Sequence, residues 1–293
     1  MQEGKWFGGL CGNGGPLFTP SIWFRWLRMT ATGIMYTANG FAVAAEGRQL
    51  WCHQPTRDHA TRDSESERVQ KIFPLEAGGL ALAYVMRGDI ANRDRSFDIA
   101  LEINQISQCW WKRFAKCTDF VKSLSATLEQ AIRHAKRIGV LEDYPDSEIS
   151  FVGYDNADPY WIDVRFSRYN QGFRREIIPH QLYVGYAFVH GSPLIRDMIS
   201  MGDPRFAQFI PPMQDFNNPS LTEATNFMKS YIEACSSRLA LQLAPENCRK
   251  IGGHIHVATI TPKGSFSSRI HKYIVRDSQP TGFQWIIPPI TAP

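Results

Sequence analysis

The sequence predicts an α+β fold in which two antiparallel sheets pack face to face and helices cover both outer faces, a four-layer αββα sandwich. Three observations predict it. Strand patterns come in neighbouring pairs joined by short turns, as antiparallel pairing requires. Two blocks of such strands bracket two blocks of helical periodicity, so two sheets each receive a cover. No internal repeat and no linker divides the chain, so residues 30–293 read as a single domain.

The elements follow in order. Gly33–Thr37 and Gly40–Gly47 are short apolar segments, and the Asn39-Gly40 step between them is a hairpin signal, because both residues tolerate positive φ. Residues 51–68 are polar and charged and read as a long irregular connection. Val69–Glu76 and Gly79–Met86 form a second strand pair, and Arg87–Asp89 turns toward helix. From Ile90 to Ile138 the period becomes helical. Phe97, Leu101, Ile103 and Ile106 share one face, then Val121, Leu124, Leu128, Ile132 and Ile138 share another, with a joint near Lys116–Thr118. Strands return at Glu148–Asp155, Pro159–Arg168 and Gln181–Gly191. Helix is expected at Pro193–Met201 and Leu221–Leu243, then a strand at Gly252–Gly264 and a further short one at Tyr273–Val275.

Composition narrows the function classes. Apolar content of 43% and charged content of 20% are those of a globular protein. The net charge of +4, from 32 basic and 28 acidic residues, is too weak and too evenly spread to mark a nucleic-acid binder. No apolar run reaches membrane-spanning length, so no membrane partner is expected. The six cysteines show no C-x-x-C pair and no zinc-ribbon spacing; they read as reduced, buried thiols of a cytoplasmic protein. His254 and His256 alternate on one strand, but a zinc site needs a third ligand and none is evident nearby. No metal or organic cofactor is expected.

Residues 1–29 differ from the rest. Gly and Pro are dense, Trp6, Trp23 and Trp26 crowd together, and the apolar run Ser21–Phe24 is cut short by Arg25, with no signal-peptide cleavage site after it. The segment reads as a tail, a propeptide or a start misplaced upstream of Met29. Removal or absence of it in the working protein is the preferred expectation.

That expectation gives Thr30 a chemical meaning. A Thr hydroxyl needs a base, and a chain that starts at Thr30 supplies its own α-amine, which titrates at about 7.7–8.0. A strand start aims such a residue rigidly. Thr32 lies on the same face but has no free amine. A nearby ammonium favours the deprotonated hydroxyl. Lys71 is the candidate, a lysine among apolar strand neighbours. Glu46, ending the second strand, is placed to orient it, and Arg48 to brace the same carboxylate. Taken singly, these residues read as a strand start, a cross-strand ion pair and a solvated end.

Four stretches together resemble a known family. Thr30–Arg48, "TATGIMYTANGFAVAAEGR", resembles the mature start of a proteasome β-type subunit, with Glu46 at the family's Asp. Arg68–Ala91 is similar to its lysine strand, following strand and helix start. Ser150–Asp163 resembles its later hairpin, and Lys250–Gly264 its "G-G-x-i-x-v" segment. The likeness covers residues 29–264 and implies an N-terminal-nucleophile (Ntn) hydrolase fold of a divergent bacterial type. It implies Thr30 as nucleophile, its amine as base, Lys71 as the pKa-lowering group and Glu46 as its holder. By position the family's oxyanion donor, a backbone N–H, falls on Val85, with Met86 next. The serine and aspartate that touch the amine fall on Ile251 and Cys248, and a turn serine falls on His190, which reads either as a proton shuttle or as a turn histidine.

The resemblance implies a threonine peptidase or amide hydrolase acting on peptide or protein through an acyl-enzyme, in a homo-oligomeric ring. A catalytically silent scaffold subunit used in assembly and a hydrolase of small amides are the alternatives. An ATPase or other regulator is left open.

Overall fold

In a computed structural model, the structure describes residues 30–47, 49–52, 62–66, 70–77, 80–88, 96–110, 114–155, 157–169, 172–210, 215, 217–249, 251–263 and 266–274. The segment 1–29 and Arg48 therefore lie outside the described residues. In chain order the strands are β1 (Thr32–Thr37), β2 (Gly40–Glu46), β3 (Gln49–Cys52), β4 (Arg62–Ser66), β5 (Ile72–Ala77) and β6 (Leu80–Gly88). Helices α1 (Ile99–Trp110) and α2 (Cys117–Arg137) precede β7 (Ser147–Asp155), β8 (Asp158–Tyr169), β9 (Gly172–Pro179) and β10 (Ala187–His190). Then come α3 (Pro193–Ser200), α4 (Leu221–Cys235), α5 (Arg238–Leu243), α6 (Pro245–Cys248), β11 (Gly253–Ile260) and β12 (Phe266–Ile274).

Two five-stranded antiparallel sheets result, one in the order β10-β1-β2-β11-β12 and the other β5-β6-β7-β8-β9. Their facing sides share a core of Ile34, Phe41, Val43, Ala45, Ile72, Ala83, Val85, Val152, Trp161, Ala258 and Ile260. The other side of the second sheet packs on α1 and α2 through Tyr84, Met86, Ile149, Phe151, Ile162 and Val164. The other side of the first packs on α3–α6 through Met35, Ala42, Ala44, Ile255 and Val257. Strand alternation explains this: each strand sends successive side chains to opposite faces, and both faces are covered. The αββα sandwich is thus the observed fold.

Several local expectations are corrected. The hairpin loop is Ala38–Asn39, with Gly40 already in β2 opposite Thr37. Gly40 is needed for another reason: its φ is +146°, and a Cβ there would stand 2.4 Å from the Ile260 carbonyl oxygen. The connection expected over 51–68 contains a β3–β4 pair. Strand β9 went unread; its alternation is masked by Arg174, Arg175 and Glu176 at a sheet edge. The strand expected from Gln181 starts only at Ala187, because Gly185 at φ +84° makes a turn in which Tyr186 N donates to Tyr183 O at 2.9 Å. On α1 the inward face is Ile99, Ala100 and Ile103, leaving Leu101 half in solvent. Ile138 lies just past the end of α2 and is exposed.

Candidate active site

The start of β1 is fixed by β2. Thr32 pairs with Ala45, and Glu46 N donates to Ala31 O at 3.1 Å, which carries the ladder one residue beyond the strand. Continuing the register places half-buried Thr30 beside Gly47. On the other side of Gly47, its N–H donates to His254 O at 2.8 Å.

Glu46 and Lys71 meet directly. Lys71 Nζ donates to Glu46 Oε1, and the two residues are 3% and 1% exposed. Glu46 ends a strand of the first sheet and Lys71 immediately precedes β5 of the second, so the ion pair bridges the sandwich. Gly252 N donates to Glu46 Oε2 at 3.2 Å, fixing the second carboxylate oxygen. This backbone donor was missed by sequence reasoning, since a main-chain contact 206 residues away leaves no side-chain signal. The geometry can hold a cation, through a fixed carboxylate, one ladder position from Thr30.

Other expected residues are placed elsewhere. Val85 is in the middle of β6, paired with both Ile72 and Ser150, with its side chain in the inter-sheet core. Met86 N donates to Lys71 O at 2.9 Å, so alternation turns the Val85 N–H toward β7 and into the ladder. Neither is a turn donor. The strand runs three residues further and ends at Gly88, where φ is +82°. Cys248 and Ile251 are fully buried in the apolar core under α4, and neither side chain carries the hydroxyl or carboxylate that the resemblance places at these positions.

His190 ends β10 opposite Thr32, its ring edge-on to Phe188 at 4.5 Å between centroids. Its Nε2 is 3.7 Å from Glu148 Oε1 and makes no hydrogen bond. Burial, joined by the Arg87 charge, holds its imidazole well below the usual range, so it is neutral at pH 7.

Glu148 belongs to a second buried polar cluster that the sequence did not suggest. Arg87, 6% exposed, donates to Glu148, to Ser150 Oγ at 2.9 Å and to Thr32 Oγ1 at 3.3 Å, and lies 3.9 Å from Asp163. Asp163 also accepts from Ser150 at 2.5 Å and from the Trp161 indole at 2.8 Å, with His180 Nε2 at 2.8 Å. Burial pushes the Asp163 carboxyl up, but His180, Arg87 and Ser150 outweigh it and hold it well below the usual range. The available signal was alternation: Arg87, Glu148 and Asp163 all occupy inward positions of β6, β7 and β8.

His254 and His256 face inward beside this end of the first sheet, their rings 6.2 Å apart. His256 Nε2 is 2.9 Å from Ser268 Oγ, and burial with the neighbouring His254 lowers its pKa to about 4. Among the described residues no group of three or more His, Cys, Asp or Glu is arranged to hold a metal ion. No helix among them is long and apolar enough to cross a membrane.

No family model matches the chain, and no curated protein matches it. Among solved structures it is similar to Anbu (ancestral beta-subunit) from Yersinia bercovieri, at 15% identity over 83% of this chain and 89% of that one, with a TM-score of 0.47. It is also similar to the Anbu complex of Pseudomonas aeruginosa, described as a helical assembly, at 14% identity over 79% and 81%, again with a TM-score of 0.47. These findings correct the resemblance drawn from the four sequence stretches. With no family model matched and only structural likeness of this degree, the chain is not assigned to the proteasome β-type subunits or the Ntn hydrolases.

Proposed function

We propose that the protein is a threonine-type amide hydrolase acting on peptide bonds, with Thr30 as nucleophile after removal of residues 1–29. One observation supports it above the rest: the buried Lys71–Glu46 pair, locked by Gly252 N–H, one ladder position from Thr30. A structural ion pair gains little from such burial, because desolvation offsets the attraction. A cation held beside a hydroxyl has a catalytic use.

The steps balance without a cofactor. Thr30 Oγ attacks the amide carbon while its proton passes to the Thr30 α-amine. The Lys71 ammonium favours the developing alkoxide. The tetrahedral adduct collapses, the proton moves to the leaving amine, and an ester to Thr30 remains. Water then attacks the ester and gives a proton to the α-amine; as the ester C–O bond breaks, that proton passes to Thr30 Oγ, the acid leaves, and the hydroxyl and amine are restored. Glu46 keeps Lys71 in place and touches no substrate. Arg48 and His190 are assigned no step. A homo-oligomer is part of the reading, with peptide or protein as its substrate.

A second reading is a catalytically silent subunit of an assembly. It is favoured by the apolar burial of Cys248 and Ile251 where the amine would need polar support. N-terminal sequencing of the protein from its native cell, together with turnover of a peptide-amide panel by wild type and Thr30→Ala, separates the two. A chain beginning at Thr30, active only with the hydroxyl, supports hydrolysis; a chain retaining Met29 supports the silent subunit.

A further inference from the structure

Register places three residues in one row across the first sheet. Ile255 pairs with Glu46, so His254 pairs with Gly47, and the β1–β2 register continued one step pairs Gly47 with Thr30. Paired residues of neighbouring strands project from the same face, with Cβ atoms about 4.5–5.5 Å apart. Thr30, Gly47 and His254 therefore share a face, and the middle member has no side chain. The His254 ring fills the gap. A Cβ built on Gly47 would meet His254 Nδ1 at 2.3 Å, Cε1 at 2.5 Å and Cγ at 2.9 Å. The Nδ1–Cε1 edge thus lies over Gly47, on the side that leads to Thr30. Any larger residue at position 47 would push the ring off this place.

Neighbours hold the imidazole there. His254 is 4% exposed, and its backbone oxygen is tied to Gly47 N. His256, the next inward residue on β11, is neutral at pH 7 and anchored on Ser268, so it adds no competing charge. The Lys71–Glu46 pair stands at the same end, since Glu46 is the neighbour of Gly47 in the chain.

We infer that His254 is a positioning residue for Thr30, its Nδ1 edge reaching over Gly47 to hold the hydroxyl directly or through one water. This rests on the reading of Thr30 as nucleophile. It also answers the apolar character of Cys248 and Ile251: the polar support comes from the strand that follows them, two residues past Gly252. A hydroxyl held in one rotamer presents its proton to the α-amine at every encounter, which raises kcat and leaves substrate binding alone.

The test uses the full-length protein processed to Thr30, with steady-state kinetics on the best amide of the panel. His254→Ala is expected to lower kcat about 10–100-fold with KM nearly unchanged. His254→Asn, whose amide occupies the Nδ1 position, is expected to restore most of the loss, whereas His254→Gln is not. Added imidazole is expected to raise turnover of His254→Gly. Circular dichroism checks folding, and if the Ala variant misfolds, the Asn–Gln difference decides. Unchanged kcat in His254→Ala, a rise confined to KM, or equal rescue by Asn and Gln overturns the role. Thr30→Ala, measured alongside, separates the two failures. Activity lost with Thr30→Ala but kept with His254→Ala removes His254 alone. Activity kept in Thr30→Ala, or absent from the wild type, removes the nucleophile and His254 with it.

Discussion

Two buried charge clusters bridge the same pair of sheets, and they differ in the cation. At one, Lys71 meets Glu46, whose other oxygen takes a backbone N–H. At the other, Arg87 meets Glu148, Ser150 and Thr32, with Asp163 and His180 beyond. A guanidinium is planar, keeps its proton and suits a fixed fork of acceptors. An ammonium is a compact charge whose proton affinity responds to its surroundings, which is why lysines serve in reactive sites. The difference teaches where to look for chemistry: the Arg87 cluster is built to stay as it is, and the Lys71 pair stands at the end of β2, one ladder position from Thr30.

The largest expected effect breaks the first cluster. Lys71→Met should reduce kcat/KM about a thousandfold or more, as loss of a group acting with the nucleophile does. It should also cost about 3–5 kcal/mol of stability in a denaturant titration, because Glu46 is left buried without its partner. The second cluster should separate these effects. Arg87→Met strands Glu148 and Asp163, so about 3–5 kcal/mol of stability should be lost. Turnover per folded molecule should change little; a loss as large as that of Lys71→Met would erase the distinction.

Proton linkage sharpens the comparison at intermediate size. An unfolded His256 takes up a proton near pH 6.5, and the folded one resists until about 4. Between those values the unfolded state binds more protons, so stability is full above about pH 6.5 and falls as pH drops toward 4. The loss is on the order of 1–3 kcal/mol, and His256→Gln should flatten it. Asp163 acts lower still: its carboxyl is held below the usual range, so its contribution disappears as pH falls below about 4. The smallest effect belongs to the surface. Arg168 and Asp143 lie 3.4 Å apart and partly in solvent, so Asp143→Ala should change stability by less than about 0.5 kcal/mol.

What sequence alone could show follows from range. The layers were legible because alternation and helical period are local, and Lys71 was legible because a lysine among apolar strand residues is anomalous. The Arg87 cluster was not, since its members sit on β1, β6, β7 and β8 and just past β9, and only pairing registers bring them together. Arg87 itself looked like a turn residue because the apolar run ends before the strand does. Val85 was placed by its position in the family resemblance, which misses that β6 continues to Gly88 before it turns. His254 looked ordinary because the empty space over Gly47 exists only once β2 and β11 are neighbours.

The hydrogen bond from Gly252 to Glu46 also sets a clock. Thr30, Glu46 and Lys71 leave the ribosome early, but the group that fixes the carboxylate follows 206 residues after Glu46. Strand β2 likewise waits for β11 before its second edge is paired. Contacts so distant in sequence form late in folding, after the chain has closed a long loop. A growing chain therefore carries Thr30, Glu46 and Lys71 before the contact that fixes the Glu46 carboxylate can form. On the proposed reading of Thr30 as nucleophile, competence arrives only with the last part of the sandwich.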